Sequence, residues 1–165
     1  MNIDYRLIKQ DEYQFLKEML YEALFVPPGK PKFPKSILES PDLIKYVENW
    51  NQQEGDLAIV GVKDHKLIGA IWGRKFEKSK KGYGFVDENT PEISMAVKPK
   101  YRNSGIGTTL INQIENEFLR RGVNKLSLSV DKLNPAKKLY ERCGFEFYEE
   151  EETAITMIKV LKKAS

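Results

Sequence analysis

Two short stretches of the chain hold the residues best suited to chemistry. In the first, Val97-Lys98-Pro99-Lys100-Tyr101-Arg102-Asn103-Ser104-Gly105-Ile106-Gly107-Thr108, a proline ends a strand, a basic turn follows, and two glycines open a helix. Unpaired N–H groups at a helix N-terminus, with the positive end of its dipole, form an anion site. Glycine removes the Cβ atoms that would hold a phosphate away from the backbone, while Arg102 adds charge and Asn103 a donor. The expected ligand is a phosphate or pyrophosphate; the alternative is a glycine turn with no ligand. The dinucleotide fingerprint fails because position 110 is Leu, and no Gly-Lys-Ser/Thr follows to make a P-loop.

The second stretch is Asn134-Pro135-Ala136-Lys137-Lys138-Leu139-Tyr140-Glu141-Arg142-Cys143-Gly144-Phe145. Asn134 suits an N-cap and Pro135 a first helical residue. Ala136, Leu139, Tyr140 and Cys143 then share one helical face. Spacing alone reads Tyr140 as a core aromatic and Cys143 as a small buried hydrophobe.

Other chemistries are excluded by scarcity. Cys143 is the one cysteine, so no intramolecular disulfide forms. The one histidine, His65, sits in the polar turn Lys63-Asp64-His65-Lys66, which leaves little from which to build a zinc site or a histidine triad. No metal is expected. The 27 basic and 24 acidic residues leave a net charge of +3, too small for a nucleic-acid binder, which usually carries a basic stripe. The N-terminal residues show no secretory pattern, and no apolar run is long enough to span a bilayer. These features predict a cytoplasmic protein with no nucleic-acid or membrane role.

The elements that must position the two stretches follow from periodicity. Residues 2–8 alternate as a half-buried strand, and Phe15, Leu16, Met19, Leu20, Ala23 and Leu24 mark a helix. Four prolines make 26–34 an irregular loop. A second helix is predicted from Pro41, capped by Ser40 and carrying Leu43, Ile44, Val47 and Trp50. Asp56–Lys63 and Lys66–Arg74 read as a hairpin, and 75–91 as a charged connection. There follow a strand at Glu92–Lys98, a helix from Gly105 to Arg121 stopped by Gly122, and a strand through Leu126, Leu128 and Val130. The Asn134 helix ends at Gly144, and strands at 145–150 and 153–161 close the chain. The order β-α-α-β-β-β-α-β-α-β-β, without repeats or linkers, predicts one domain over 1–165, an α/β or α+β sandwich around a largely antiparallel sheet.

Taken together, Val97-x-Pro99, Arg102-x-x-Gly105-x-Gly107 and Asn134…Leu139-Tyr140-Glu141-x-x-Gly144-Phe145, in this element order, resemble the GNAT family of N-acetyltransferases. The resemblance covers nearly the whole chain. It implies the acyl-CoA N-acyltransferase fold, a mixed, mostly antiparallel sheet with a splayed strand pair and helices on both faces.

The resemblance also implies acetyl-CoA as co-substrate, with an amine on a small molecule or protein accepting the acetyl group. Arg102, Asn103, Ser104, Gly105, Ile106, Gly107 and Thr108 would hold the pyrophosphate. Main-chain groups of Met95, Ala96 and Val97 would bond the pantetheine arm, with Asn134 near it. Tyr140 matches the tyrosine facing the thioester sulfur, and Glu92 a glutamate acting as base directly or through water; for Glu92 an exposed carboxylate after Thr90-Pro91 is the alternative. The acceptor regions offer Phe25, Phe33, Tyr83 and Phe85, with Asp87 and Glu88 nearby, which suits a cation and equally suits ordinary packing. A homodimer would be common in such a family. A non-catalytic acyl-CoA-binding module of the same fold is one rival reading, and a nucleotide-phosphate binder using the same glycine turn is another.

Overall fold

The computed structural model describes residues 2–162. The single-domain expectation over 1–165 also takes in Met1 and 163–165, which lie outside the described residues. Seven strands form one sheet in the order β1-β2-β3-β4-β5-β7-β6. They are β1 (Asp4–Leu7), β2 (Leu57–Lys63), β3 (Lys66–Arg74), β4 (Glu92–Val97), β5 (Lys125–Asp131), β6 (Glu146–Glu151) and β7 (Ala154–Val160). Every pairing is antiparallel except β4 with β5. Four α-helices pack on it: α1 (Gln14–Ala23), α2 (Pro41–Ile44), α3 (Ile106–Arg120) and α4 (Ala136–Arg142).

Strand alternation divides the core into two faces. Ile59, Ile71, Ile93, Leu126 and Leu128 meet Leu110, Ile111, Ile114 and Phe118 of α3 on one face. Ala58, Val60, Ala70, Trp72 and Ala96 meet Leu16, Met19 and Leu20 of α1 on the other. The β2–β3 hairpin turns through Asp64 at φ 51° and His65 at φ 63°, the two positive dihedrals of a type I′ turn. His65 is thus a turn residue.

The predicted second helix is shorter than its apolar spacing implied. α2 is one turn, Pro41–Ile44, and Ser40 contributes its carbonyl to Leu43 and Ile44 N–H rather than a side-chain cap. Lys45–Trp50 coils on in turns, reaching φ 51° at Asn49. The cause lies on β3. The buried Arg74 guanidinium donates to the carbonyls of Lys45, Glu48 and Asn49 and forks onto Asp56 at 2.8 and 3.0 Å. Arg74 satisfies these carbonyls from outside the segment, so they need no α-helical partners.

One sheet boundary is open. β4 pairs with β3 over six residues but touches β5 only at Glu92↔Ser127. Beyond that point the two strands part, giving the expected splay. Ser127 N–H bonds Pro91 C=O, and Lys98 N–H bonds Ile68 C=O. Main-chain groups alternate sides along a strand, so those of Met95 and Val97 face the gap and those of Ala96 face β3.

Candidate active site

The turn between β4 and α3 is exposed from Asn103 to Gly105. Asn103 stands at φ 62° and Gly105 at φ 83°, and Ser104 Oγ donates to Tyr101 C=O. The first α3 ladder bond is Thr109 N–H to Gly105 C=O, so the N–H groups of Ile106, Gly107 and Thr108 have no partner within the helix. That is the donor set a pyrophosphate requires.

The two glycines have separate reasons to be glycine. A Cβ on Gly105 would meet nothing within 4 Å, so its positive φ makes the demand. A Cβ on Gly107 would lie 3.0 Å from Leu139 Cδ2 and 3.2 Å from Met95 Cε. Gly107 therefore lets α3, α4 and β4 converge at the head of the gap. Arg102 Nε donates to Val97 C=O at 3.0 Å, while Nη2 reaches Glu22 Oε2 of α1 at 3.3 Å.

At the other side of the gap, Asn134 Oδ1 accepts from Ala136 N–H at 2.9 Å, an N-cap bond with Pro135 already in helical conformation. α4 buries Tyr140, whose ring packs edge-on to Phe145 at 6.0 Å. Burial, with Cys143 nearby, pushes the phenol up to about 12. It is protonated at neutral pH and fit to donate a hydrogen bond to a nascent thiolate.

Glu92, read from sequence either as a base or as an exposed carboxylate, is 4% exposed. Its Oε2 accepts from Tyr46 Oη at 2.6 Å, and its Oε1 has no hydrogen-bond partner. Burial pushes this carboxyl up to about 7, against the opposing pull of the Tyr46 bond, the Gly84 N–H and the Lys45 charge. Gly84 N–H acts there through proximity, since it falls short of hydrogen-bond geometry. A carboxyl near 7 divides itself between acid and base forms at neutral pH, the condition a general base needs.

Of the four aromatics expected around an acceptor, three converge. Phe25, Phe33 and Tyr83 line a cavity of about 310 Å³ with Leu24, Leu43, Ser129, Asp131 and Asn134. Phe85 instead packs, partly buried, against the core on the α1 face of the sheet. Asp87 turns to Thr90, Asn89 and Lys125, and Glu88 to Lys78 N–H, so neither carboxylate lines this cavity. A larger open concavity of about 600 Å³, between α1 and Lys35–Glu39, holds none of the expected residues. The smaller one reaches Asn134, while Glu92 and Tyr140 do not line it.

Sequence reading missed Tyr46, Gly82, Ser129 and Asp131. Ser129 and Asp131 were readable, because the polar positions alternating with Leu126, Leu128 and Val130 must share one face. Tyr46 carried no local signal. Among the described residues no group of three or more His, Cys, Asp or Glu could hold a metal ion, and no helix is long and apolar enough to cross a membrane.

Comparison with known proteins agrees with this arrangement. An uncharacterized N-acetyltransferase of Methanocaldococcus jannaschii is 38% identical over 76 residues, covering 41% of this chain and 49% of that protein. The chain thus matches about half the length of that relative. The PaiA N-acetyltransferase of Thermoplasma acidophilum, solved in complex with coenzyme A, superposes with a TM-score of 0.65 at 20% identity, over 97% of this chain and 99% of that one. The ribosomal-protein-S18-alanine N-acetyltransferase of Escherichia coli gives 0.66 at 19% identity, over 99% and 97%. At such identities these two speak for the acyl-CoA N-acyltransferase fold. Residues 17–145, most of the chain and both motif stretches, match the profile of the Acetyltransferase (GNAT) family, and the chain belongs to that family.

Proposed function

We propose that the chain acts as one domain that transfers the acetyl group of acetyl-CoA to a primary amine, directly, within a ternary complex. One observation carries this reading. The gap beside β4 runs from unpaired N–H groups at the α3 N-terminus, past the β4 edge at Met95 and Val97 that has no strand partner, to the strand position of Glu92. A thioester on a long arm with a pyrophosphate at its far end has this shape. The Thermoplasma acidophilum relative was solved with coenzyme A, which adds support.

Bound acetyl-CoA supplies an acetyl carbonyl that an amine can attack. Ile106, Gly107 and Thr108 N–H, with Arg102, hold the pyrophosphate; Arg102 exchanges Glu22 for phosphate. Met95 and Val97 main-chain groups hold the arm, and an N–H on that edge steadies the oxygen as negative charge develops on it. Glu92, directly or through water, takes a proton from the acceptor ammonium, because only the free amine has a lone pair to attack with. Tyr140 donates to the departing sulfur. In sum, an ammonium and a thioester give an amide, a thiol and one proton released to water.

A thermal-shift series with acetyl-CoA, CoA, ATP and NADH tests the ligand. A ligand at 100 times its Kd adds about 2.7 kcal/mol, roughly 5–10 °C for a chain of this length. Stabilisation by acetyl-CoA and CoA alone is expected, followed by amine-dependent thiol release in a screen of amines. A preference for ATP or NADH refutes the ligand. Coenzyme A binding with no thiol release for any amine leaves the non-catalytic module.

A further inference from the structure

Glu92 is held from one side only, and the holding group is shared. Tyr46 Oη donates to Glu92 Oε2 at 2.6 Å and accepts from Tyr83 N–H at 2.6 Å. Tyr83 is a wall of the 310 Å³ cavity expected to take the acceptor. We propose that Tyr46 is a positioning residue of the transfer reaction, locking Glu92 and the Tyr83 wall into one hydrogen-bonded line. The proposal rests on the reading of Glu92 as the base.

Three observations converge on it. First, the Tyr46 hydroxyl has its one proton and one lone pair both committed, so its orientation is fixed. Second, Tyr46 itself is clamped. Arg74, the β3 register partner of Glu92, holds the carbonyls of Lys45, Glu48 and Asn49 around it and stacks its guanidinium on Trp50 at 4.8 Å. Phe76 meets the Tyr46 ring edge-on at 5.0 Å, and Tyr83 lies parallel to it at 6.5 Å. Third, Gly82 covers Oε1. A Cβ there would collide with Glu92 Oε1 and stand 2.7 Å from Tyr46 Oη, so only glycine lets this segment close against the Tyr46–Glu92 pair.

The other charged and polar groups facing Glu92 leave this task to Tyr46. Lys45 acts on it through charge alone, and the Gly84 N–H through proximity without closing a hydrogen bond. Arg74 is spent on Asp56 and the turn carbonyls. Ser127, opposite on β5, has an Oγ that is itself buried without a partner. The amide of Tyr83 is committed to Tyr46.

The test follows the Glu92 carboxyl directly. Its ¹³C resonance, assigned by its loss in Glu92→Gln, is titrated in the wild type and in Tyr46→Phe, alongside pH–rate profiles and the acetyl-CoA Kd. Phe keeps the ring contacts, so the variant is expected to fold. A hydrogen bond to an ionised group is lost, so the midpoint should rise by about one pH unit or more, with the acidic limb of kcat rising in step. The acetyl-CoA Kd should stay within about two-fold. Gly82→Ala supplies a second perturbation, displacing the carboxylate without removing a hydrogen-bonding group, and should shift the same limb. A midpoint and limb unmoved in both variants overturn the proposal. If the midpoint moves but the acidic limb persists even in Glu92→Gln, it is the base reading that fails, and Tyr46 has no part in the reaction.

Discussion

Glu92→Gln separates stability from catalysis at one atom position. The Glu92 carboxyl is raised from 4.5 to about 7, chiefly by burial. An acid whose pKa is higher folded than unfolded favours the folded state while protonated. Its contribution is complete below the unfolded value and is lost as pH rises through the folded one. Two and a half pH units at 1.36 kcal/mol each give a loss of about 3 kcal/mol between roughly pH 4.5 and 7. Gln keeps an acceptor for Tyr46 and never ionises, but it places an amide where Oε1 now lacks a partner, costing about 1–3 kcal/mol at every pH. The absolute gain at pH 8 is therefore small. The pH dependence is the signal: the difference in unfolding free energy between Glu92→Gln and wild type should climb by about 3 kcal/mol from pH 4.5 to 7.5 and level off beyond. Urea unfolding at half-unit pH intervals measures it. Activity should move oppositely, with turnover collapsing and its acidic limb near pH 7 disappearing. A stability difference that stays flat across this window would refute the claim that Glu92 is buried and ionises with difficulty.

Tyr140→Phe should lower kcat by on the order of ten-fold or more with the coenzyme A Kd unchanged; stopped-flow thiol release and calorimetry would show it, and wild-type turnover would return Tyr140 to a packing role. Gly105→Ala should cost about 1 kcal/mol through its positive φ alone, since a Cβ there meets nothing. Gly105→Asn should cost less, because asparagine tolerates that conformation; equal losses for the two in chemical denaturation would contradict the conformational explanation.

The parts of the fold that were legible in sequence are those set by local periodicity. α3 could be read from Ile106, Leu110, Ile111, Ile114 and Phe118, and its ends from Gly105 and Gly122, both at φ 83°. The β2–β3 turn and the Asn134 cap were likewise local. What escaped was set by distant partners. Val47 and Trp50 kept helical spacing, yet Arg74, some 25 residues on, unwound the segment. The connection over 75–91 looked like charged filler, because nothing in a lone Gly82 or Gly84 announces the backbone or carboxylate against which it lies. A Cβ on Gly84 would stand 2.8 Å from the Leu128 carbonyl oxygen. Of the candidate site, the anion turn could be read as donors in sequence order. The environment of Glu92 could not, since it is assembled from β3, β4, β5, the turn after α2 and the 82–85 segment.

That assembly accounts for how a buried carboxylate could act as the proposed base. A fully hydrogen-bonded Glu92 would hold its charge tightly and be a weak base; an unbonded one would stay protonated well above neutrality and be no base at pH 7. One held oxygen and one bare oxygen place it between these limits, at about 7. The arrangement costs stability, because a buried acceptor without a partner is unfavourable. The surrounding structure enforces it all the same, through the Arg74–Asp56 fork, the clamped Tyr46 ring and a glycine at 82. Ordinary packing gives no reason to seal a carboxylate with one oxygen unsatisfied. The proposed base role would give one, and the strand that carries Glu92 is the same one whose Met95 and Val97 edge would hold the acetyl donor.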